Sequence, residues 1–96
     1  MGNTQGDYDP HFDAKQYLKP GIYLDEINCI RKSFLKFSPN DNGYVKTSVV
    51  LKTYKEAYQM DSLKKRWYNR SQINFNEFYE EMSNILIQRK NTMHDV

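Results

Sequence analysis

The sequence predicts an all-α fold built from short amphipathic helices. Apolar residues recur at helical spacing in several segments, and no strand-like stretch exceeds three residues. Helix-breaking residues such as Pro39 and Gly43 fall between these segments. The 96 residues suit one small domain, and a 15% aromatic share means that rings must form much of its core.

The first helix is predicted over residues 24–37. Its apolar stripe consists of Ile27, Ile30, Phe34 and Phe37. Asp25 and Glu26 fall in the first turn, where the helix dipole favours negative charge. Pro39 disfavours helical geometry in the residue before it, so we expect the helix to stop there.

Three further helices are predicted downstream. The second begins near Thr47, a good capping residue, and keeps its apolar side as far as Tyr58. A short third helix runs to about Tyr68. After an extended stretch at residues 73–75, a fourth helix covers residues 76–90 with a wide apolar stripe.

The two ends of the chain are predicted to be irregular. Residues 1–21 are expected to form an extended arm that lays aromatic side chains on the domain or on a partner, and residues 91–96 a flexible tail. The helical domain is therefore expected over residues 22–90. Gly2 follows Met1, but the sixth position of a myristoylation motif should be Ser or Thr, and Gly6 stands there.

The loop after the first helix has the spacing of a cation-binding loop. Counted from Ser38, Asn40 stands third, Asn42 fifth and Gly43 sixth, where a sharp turn is needed, and Tyr44 offers a carbonyl at the seventh place. With its entering helix and the later hexapeptide at residues 73–78, this segment resembles the EF-hand superfamily, which includes calmodulin and light chains.

The resemblance implies two paired helix–loop–helix units. The eighth loop residues, Val45 and Ile73, would join the two loops through a short β-bridge. The first loop departs from the family at the decisive ligand positions, because Lys46 stands ninth and Val49 stands twelfth, where a bidentate glutamate is required. We therefore expect no calcium binding there. The simpler alternative is an ordinary turn in an unrelated helix–turn–helix.

The second loop departs from the family as well. Glu77 matches the twelfth place, but counting back puts Arg66 first and Arg70 fifth. A guanidinium group stays protonated and has no lone pair to donate to a metal ion, so we expect this loop not to bind calcium. Glu77 is expected instead to stabilise the first turn of the helix by interacting with the helix dipole. No metal or cofactor is predicted.

By resemblance, the protein is predicted to be a calcium-independent interaction module, similar to a light chain or a cytoskeletal or axonemal adaptor. Its expected partner is an amphipathic helix of another protein, bound in an apolar groove. The candidate groove residues are Tyr54, Tyr58, Met60, Trp67, Met82, Ile85 and Leu86. Each of them could equally belong to the core. A residual calcium sensor is the alternative function.

A basic stretch supplies a further alternative. It comprises Lys64, Lys65, Arg66 and Arg70, with Trp67 and Tyr68 interleaved. Such a pattern fits a solvated helix face with Trp67 turned inward, an acidic protein partner, or a nucleic acid. The net charge of +2 does not favour nucleic acid.

Other function classes find no support in the sequence. No nucleophile–base pair, Gly-rich phosphate loop or metal-ligand spacing indicates an enzyme. Cys29 is the single cysteine and cannot form an internal disulfide, so we expect it to be a small buried apolar residue in a reducing compartment. No apolar run is long enough to span a bilayer. We therefore expect a cytoplasmic protein, associated with the cytoskeleton if the resemblance holds.

Overall fold

Helix, strand and helix follow one another twice in this chain. A computed structural model describes residues 11–54 and 60–94. The elements in chain order are α1 (Leu24–Leu35), β1 (Tyr44–Lys46), α2 (Thr47–Tyr54), α3 (Met60–Arg66), β2 (Gln72–Asn74) and α4 (Phe75–His94). A short 3-10 helix, Ala14–Tyr17, precedes α1. The predicted, mainly helical fold is thus confirmed, with one small sheet added.

The sheet joins the two halves of the chain. Strands β1 and β2 are antiparallel, and Val45 lies directly opposite Ile73. Both side chains are buried. The backbone N–H of Thr47 donates to the Ser71 carbonyl at 3.0 Å, which continues the pairing past the strand end. The predicted pairing of Val45 with Ile73 is confirmed.

Helix α1 ends earlier than the sequence pattern suggested. It stops at Leu35 rather than Phe37 because the chain tightens into turns: Phe37 N–H donates to the Phe34 carbonyl and Ser38 N–H to the Leu35 carbonyl. Ser38 takes a left-handed backbone conformation with φ of 57°. This conformation carries the chain out of the helix before Pro39 can do so.

Helix α4 is longer than predicted at both ends. Asn74 and Glu77 cap its start reciprocally, since the Asn74 N–H donates to Glu77 Oε1 at 3.0 Å and the Glu77 N–H to Asn74 Oδ1 at 2.9 Å. Residues 91–94, which were assigned to the tail, belong to this helix. No Gly or Pro interrupts residues 75–94, so nothing stops the helix earlier. Residues 95–96 lie outside the described part.

Helix α3 is shorter than expected at its end. It stops at Arg66 instead of about Tyr68, and Arg70 N–H closes a turn onto the Trp67 carbonyl. Trp67 is only 5% exposed and joins the core together with Leu63. Burying the large indole therefore coincides with the point at which the chain leaves the helix.

A continuous cluster of aromatic rings forms one end of the core. Phe34 and Phe78 lie at its centre with ring centroids 5.4 Å apart, and Phe34 also contacts Phe75 edge-on at 5.5 Å. These three rings are buried, whereas Phe37 is half-buried against Tyr54 and Phe78. Edge-on and offset ring pairs stabilise a core beyond the area they bury. The four phenylalanines thus occupy the predicted core.

The segment before α1 is folded onto the domain. Residues 11–21 were expected to be extended, but Ala14–Tyr17 is a 3-10 helix whose Lys15 N–H is capped by Asp13 Oδ1 at 3.1 Å. Phe12 and Tyr17 join the aromatic cluster by stacking against each other and contacting Phe75. Their apolar area explains why the segment does not stay extended.

Helices α1 and α4 lie antiparallel, and an ion pair joins the first turn of α1 to the C-terminal part of α4. Lys90 Nζ donates to Glu26 Oε1 at 2.7 Å and to the Gly21 carbonyl at 2.7 Å. Glu26 Oε1 also accepts the Tyr23 N–H, which caps α1. The hydrogen bond from Lys90, together with the one from Tyr23, holds the pKa of the Glu26 carboxyl below its usual value.

The strained backbone at Ser38 generates a stability prediction. Replacing Ser38 by Gly removes the steric penalty of the left-handed conformation. The resulting gain in stability is partly cancelled, because glycine has more conformational freedom in the unfolded chain. We expect Ser38→Gly to raise the free energy of unfolding by about 0.5 kcal/mol. Ser48→Gly, at an exposed helical position of α2, is the control and should lower it by about 0.5 kcal/mol. Chemical denaturation measures both; a loss of stability in Ser38→Gly contradicts the prediction.

The lowered pKa of Glu26 generates a pH prediction. Because the folded-state pKa lies below the unfolded one, the carboxylate stabilises the fold above the unfolded pKa, and this contribution disappears as pH falls through the folded pKa. Glu26→Gln keeps the hydrogen-bond acceptor but removes the charge. We expect it to cost about 0.5–1 kcal/mol at neutral pH and nothing in strong acid. Urea unfolding at several pH values tests this, with Asp25→Asn as the matched control.

Candidate functional site

A groove of about 270 Å³ lies between α1, α4 and the end of α2. Residues of α1 form one wall, a stripe of α4 residues forms the other, and Tyr54 closes one end. The lining consists of Asp25, Glu26, Cys29, Ile30, Ser33, Tyr54, Phe78, Met82 and Leu86. The α4 members recur every four residues, so one face of that helix is turned to the groove.

The interior of the groove is apolar. Ile30, Phe78 and Met82 are buried and form its floor, while Leu86 is half-buried at its side. A cavity of about 150 Å³ can hold one benzene-sized group, so this groove has room for two large apolar side chains. Met82 adds adaptability, because its unbranched chain adjusts to different neighbours.

One end of the groove is acidic. Asp25 is exposed and Glu26 half-buried, and both lie in the first turn of α1. Glu26 is bound to Lys90, so Asp25 is the carboxylate that faces solvent at this end. The other end, at Ser33 and Tyr54, carries no formal charge. The groove therefore offers apolar contact along its length and a negative charge at one end.

The structure brings together only part of the predicted groove set. Tyr54, Met82 and Leu86 line the groove, as predicted. Ile85 is half-buried on a neighbouring face of α4 and packs against the core. Trp67 is buried in the core, which was the alternative for this residue. Tyr58 and the side chain of Met60 lie outside the described part of the chain.

The α1 wall was missed by sequence reasoning. Cys29 and Ser33 lie one helical turn apart beside Ile30, at the edge of the apolar stripe. Small residues at such an edge leave space against a facing helix, and this was the available signal. Cys29 was expected to be buried, but its side chain is exposed on this wall, so that expectation is wrong.

The first loop is closed by its own hydrogen bonds. Asn40 Oδ1 accepts the N–H groups of Asn42 at 2.9 Å and Tyr44 at 3.0 Å. The Tyr44 carbonyl accepts the Asn40 N–H at 2.9 Å. The side-chain oxygen of Asn40 and the carbonyl of Tyr44, at the third and seventh ligand positions, are thus engaged inside the loop.

The remaining positions of this loop supply no better ligand. Ser38 serves as the turn that ends α1, and its side chain is exposed. Lys46 and Val49 point to solvent. Asn42 and Asp41 are exposed as well. A cation bound through Asn40 Oδ1 or the Tyr44 carbonyl would have to compete with the hydrogen bonds that these oxygens already accept.

The second loop is closed by an ion pair. Glu77 Oε2 accepts a hydrogen bond from the Arg70 guanidinium, and Glu77 Oε1 accepts the Asn74 N–H. Both carboxylate oxygens of the predicted twelfth position are therefore occupied from within the protein. Across residues 11–54 and 60–94, no group of three or more His, Cys, Asp or Glu side chains could hold a metal ion.

The basic stretch is divided between paired and exposed cations. Arg66 lies 3.3 Å from Glu81, and Arg70 binds Glu77, so α4 carboxylates offset two of its four charges. Lys64 and Lys65 are exposed. Tyr68 is 83% exposed beside them. The adjoining concave surface, of about 560 Å³, also carries Glu80 and is mixed in charge.

No protein-family model, curated protein or solved structure matches the chain. Among the described residues, no helix combines the length and the apolar character needed to cross a membrane.

The double role of Glu77 generates a prediction. Glu77→Ala removes both the cap of α4 and the partner of Arg70. We expect the free energy of unfolding to fall by about 1–2 kcal/mol. Glu80→Ala, an exposed carboxylate on the same helix, is the control and should change it by less than about 0.5 kcal/mol. Thermal and urea unfolding measure both variants; equal effects would mean that the cap and ion pair contribute nothing specific.

Proposed function

We propose that this protein is a calcium-independent, EF-hand-like interaction module that binds an amphipathic helix of a partner protein in the groove between α1 and α4. The observation that carries the proposal is the apolar groove itself, floored by Phe78 and Met82 and edged by Leu86. Its width between two helices and its apolar lining suit a helix that presents two large side chains from one face.

The EF-hand-like assignment is supported by the arrangement of the two halves. Each half contains a helix, a short strand and a second helix, in that order. The strands pair through Val45 and Ile73, the positions that the resemblance assigned to the bridge between loops. Phe34 and Phe78, which flank the loops, pack against each other in the core.

Independence from calcium is supported by the state of both loops. In the first loop, the side-chain oxygen of Asn40 and the carbonyl oxygen of Tyr44 accept hydrogen bonds from the loop backbone. In the second, Arg70 brings a fixed positive charge to the one glutamate in a ligand position. Since each loop is already closed, a calcium ion is not needed to hold it, and the residual-sensor alternative gains no support.

The chemistry of the groove specifies the partner further. A helix with two large apolar residues one turn apart fills the groove, and a Lys or Arg near one end of that helix would meet Asp25. The role of a light-chain-like or cytoskeletal adaptor in the cytoplasm follows from the family resemblance and belongs to the proposal.

A polyanion-binding function is less well supported. Arg66 and Arg70 are already bound to Glu81 and Glu77, and Glu80 adds a further negative charge to the same surface. A phosphate backbone laid across this surface would meet carboxylates as well as lysines. Heparin or RNA binding that falls steeply with salt and is lost in Lys64→Glu/Lys65→Glu would favour that alternative.

The proposal is tested with helical peptides and groove variants. Amphipathic helical peptides selected on the immobilised full chain are labelled and titrated by fluorescence anisotropy. Leu86→Glu is expected to weaken binding by about 30-fold or more, because it places a charge in the apolar groove. Gln88→Glu, which adds the same charge at an exposed position of α4 outside the groove lining, should leave the affinity unchanged.

Two further measurements complete this test. Cys29→Glu puts the charge on an exposed part of the groove wall without removing core volume, and should also weaken binding. Dissociation constants measured in calcium and in a chelator should agree. Peptides whose binding survives both groove variants, or requires calcium, would refute the proposal.

A further inference from the structure

The segment before α1 reaches across the back of the α1–α4 pair. We call residues 11–22 the N-terminal strap. On the α4 side, Phe12 contacts Phe75 at 5.3 Å, and Tyr17 contacts Phe75 at 5.2 Å and Tyr79 at 5.1 Å between ring centroids. On the α1 side, the Arg31 guanidinium lies 4.9 Å from the Phe12 ring centroid. The strap therefore holds both helices at once.

Polar contacts fix the strap along the length of α4. The Tyr17 hydroxyl donates to Asn76 Oδ1 at 2.7 Å, and Lys19 Nζ donates to Asn84 Oδ1 at 3.5 Å. The Tyr79 hydroxyl donates to the Tyr17 carbonyl. Burial of Tyr79 raises the pKa of its phenol. These donors anchor the strap over more than two helical turns.

The end of the strap is fitted closely to α4. Gly21 has φ of 90°, and a Cβ at this position would lie 3.2 Å from Ile87 Cγ1. Only glycine combines this backbone conformation with such a close approach. Ile22 next to it is buried, and Lys90 binds the Gly21 carbonyl. The strap is thus tied at its end as well as at its start.

The strap contacts with Arg31 on α1 and Asn84 on α4 lie on the sides of these helices away from the groove. Phe75, by contrast, belongs to the same stripe of α4 as the groove residues and lies one turn before Phe78. Residues two positions apart on a helix point about 200° away from each other. On α1, Arg31 stands two positions from both Cys29 and Ser33 of the groove wall. On α4, Asn84 stands two positions from both Met82 and Leu86.

We propose that the strap sets the spacing of α1 and α4 from behind and thereby the width of the groove in front. Calcium sensors control a comparable helix spacing with an ion. Here aromatic contacts with Phe12 and Tyr17 fasten one side of the helix pair. Releasing the strap frees α1 and α4 to move apart or rotate, and the groove loses its defined shape.

The first experiment measures helix spacing directly and needs no ligand. Nitroxide labels are placed at Asn28→Cys on α1 and Gln88→Cys on α4, in a Cys29→Ser background; both label positions are exposed and outside the groove lining. In Phe12→Ala/Tyr17→Ala, the distance distribution from double electron–electron resonance should broaden and its mean should shift. Leu18→Ala, an exposed residue of the same segment, is the matched control and should match the parent.

The second experiment measures the groove and rests on the proposed function. The helical peptide selected above should bind the strap-release variant about fivefold or more weakly, and the Leu18→Ala control with parental affinity. A folded release variant with the parental distance distribution overturns the inference. If no peptide binds even the parent, the proposed function fails, while the distance measurement still decides the role of the strap.

A milder variant keeps the inference testable if the double variant does not fold. If circular dichroism shows that Phe12→Ala/Tyr17→Ala is unfolded, Phe12→Ala alone takes its place. It removes the contacts of the Phe12 ring with Phe75 and Arg31 but keeps Tyr17 and its hydrogen bond to Asn76. A broadened distribution in this variant supports the inference, and an unchanged one overturns it.

Discussion

Pairing of the two loops through Val45 and Ile73 is the interaction on which the other features depend. The two strands are three residues long and could not persist alone. They persist because Val45 and Ile73 are buried between helices on both sides, so that ladder hydrogen bonds and apolar burial support each other. The pairing places α1 beside α4 and brings Phe34 onto Phe78, and the aromatic cluster then grows from that contact.

Fixed internal partners take the place that an ion would have in the two loops. A calcium site concentrates negative oxygens and relies on the ion to cancel their repulsion. Here the first loop has a single carboxylate, the exposed Asp41, and is held by the amide of Asn40, while the second carries Glu77 with Arg70 as its permanent counter-charge. A guanidinium cannot leave as a metal ion can. The loops are therefore suited to a constant shape rather than to a response.

A constant shape has consequences for binding. If the groove binds a partner as proposed and no ion opens it, the rest of the fold must hold it at a working width. The aromatic cluster fills the space behind the groove, and the strap closes that cluster on its outer side through Phe12 and Tyr17. Pre-organisation of this kind lowers the ordering cost of binding, since the groove does not have to form when the partner arrives.

The sequence by itself determined the order of the helices, whereas the pairing of Val45 with Ile73 was predicted through the resemblance to the EF-hand superfamily. The order of the helices depends on local periodicity and turn chemistry, which can be read along the chain. Helix ends were less predictable, because the exit at Ser38 and the continuation to His94 depend on backbone conformation and on the absence of a stop signal.

Only the tertiary structure decided which apolar residues form the groove and which form the core. Trp67 and Leu86 look alike in a hydrophobic pattern, yet Trp67 is buried against the domain and Leu86 lines the groove. The contacts of the strap could not be predicted from the sequence either, because Tyr17 and Asn76 are separated by 59 positions. Periodicity shows that a face is apolar, but the partner of that face is chosen by how the helices pack.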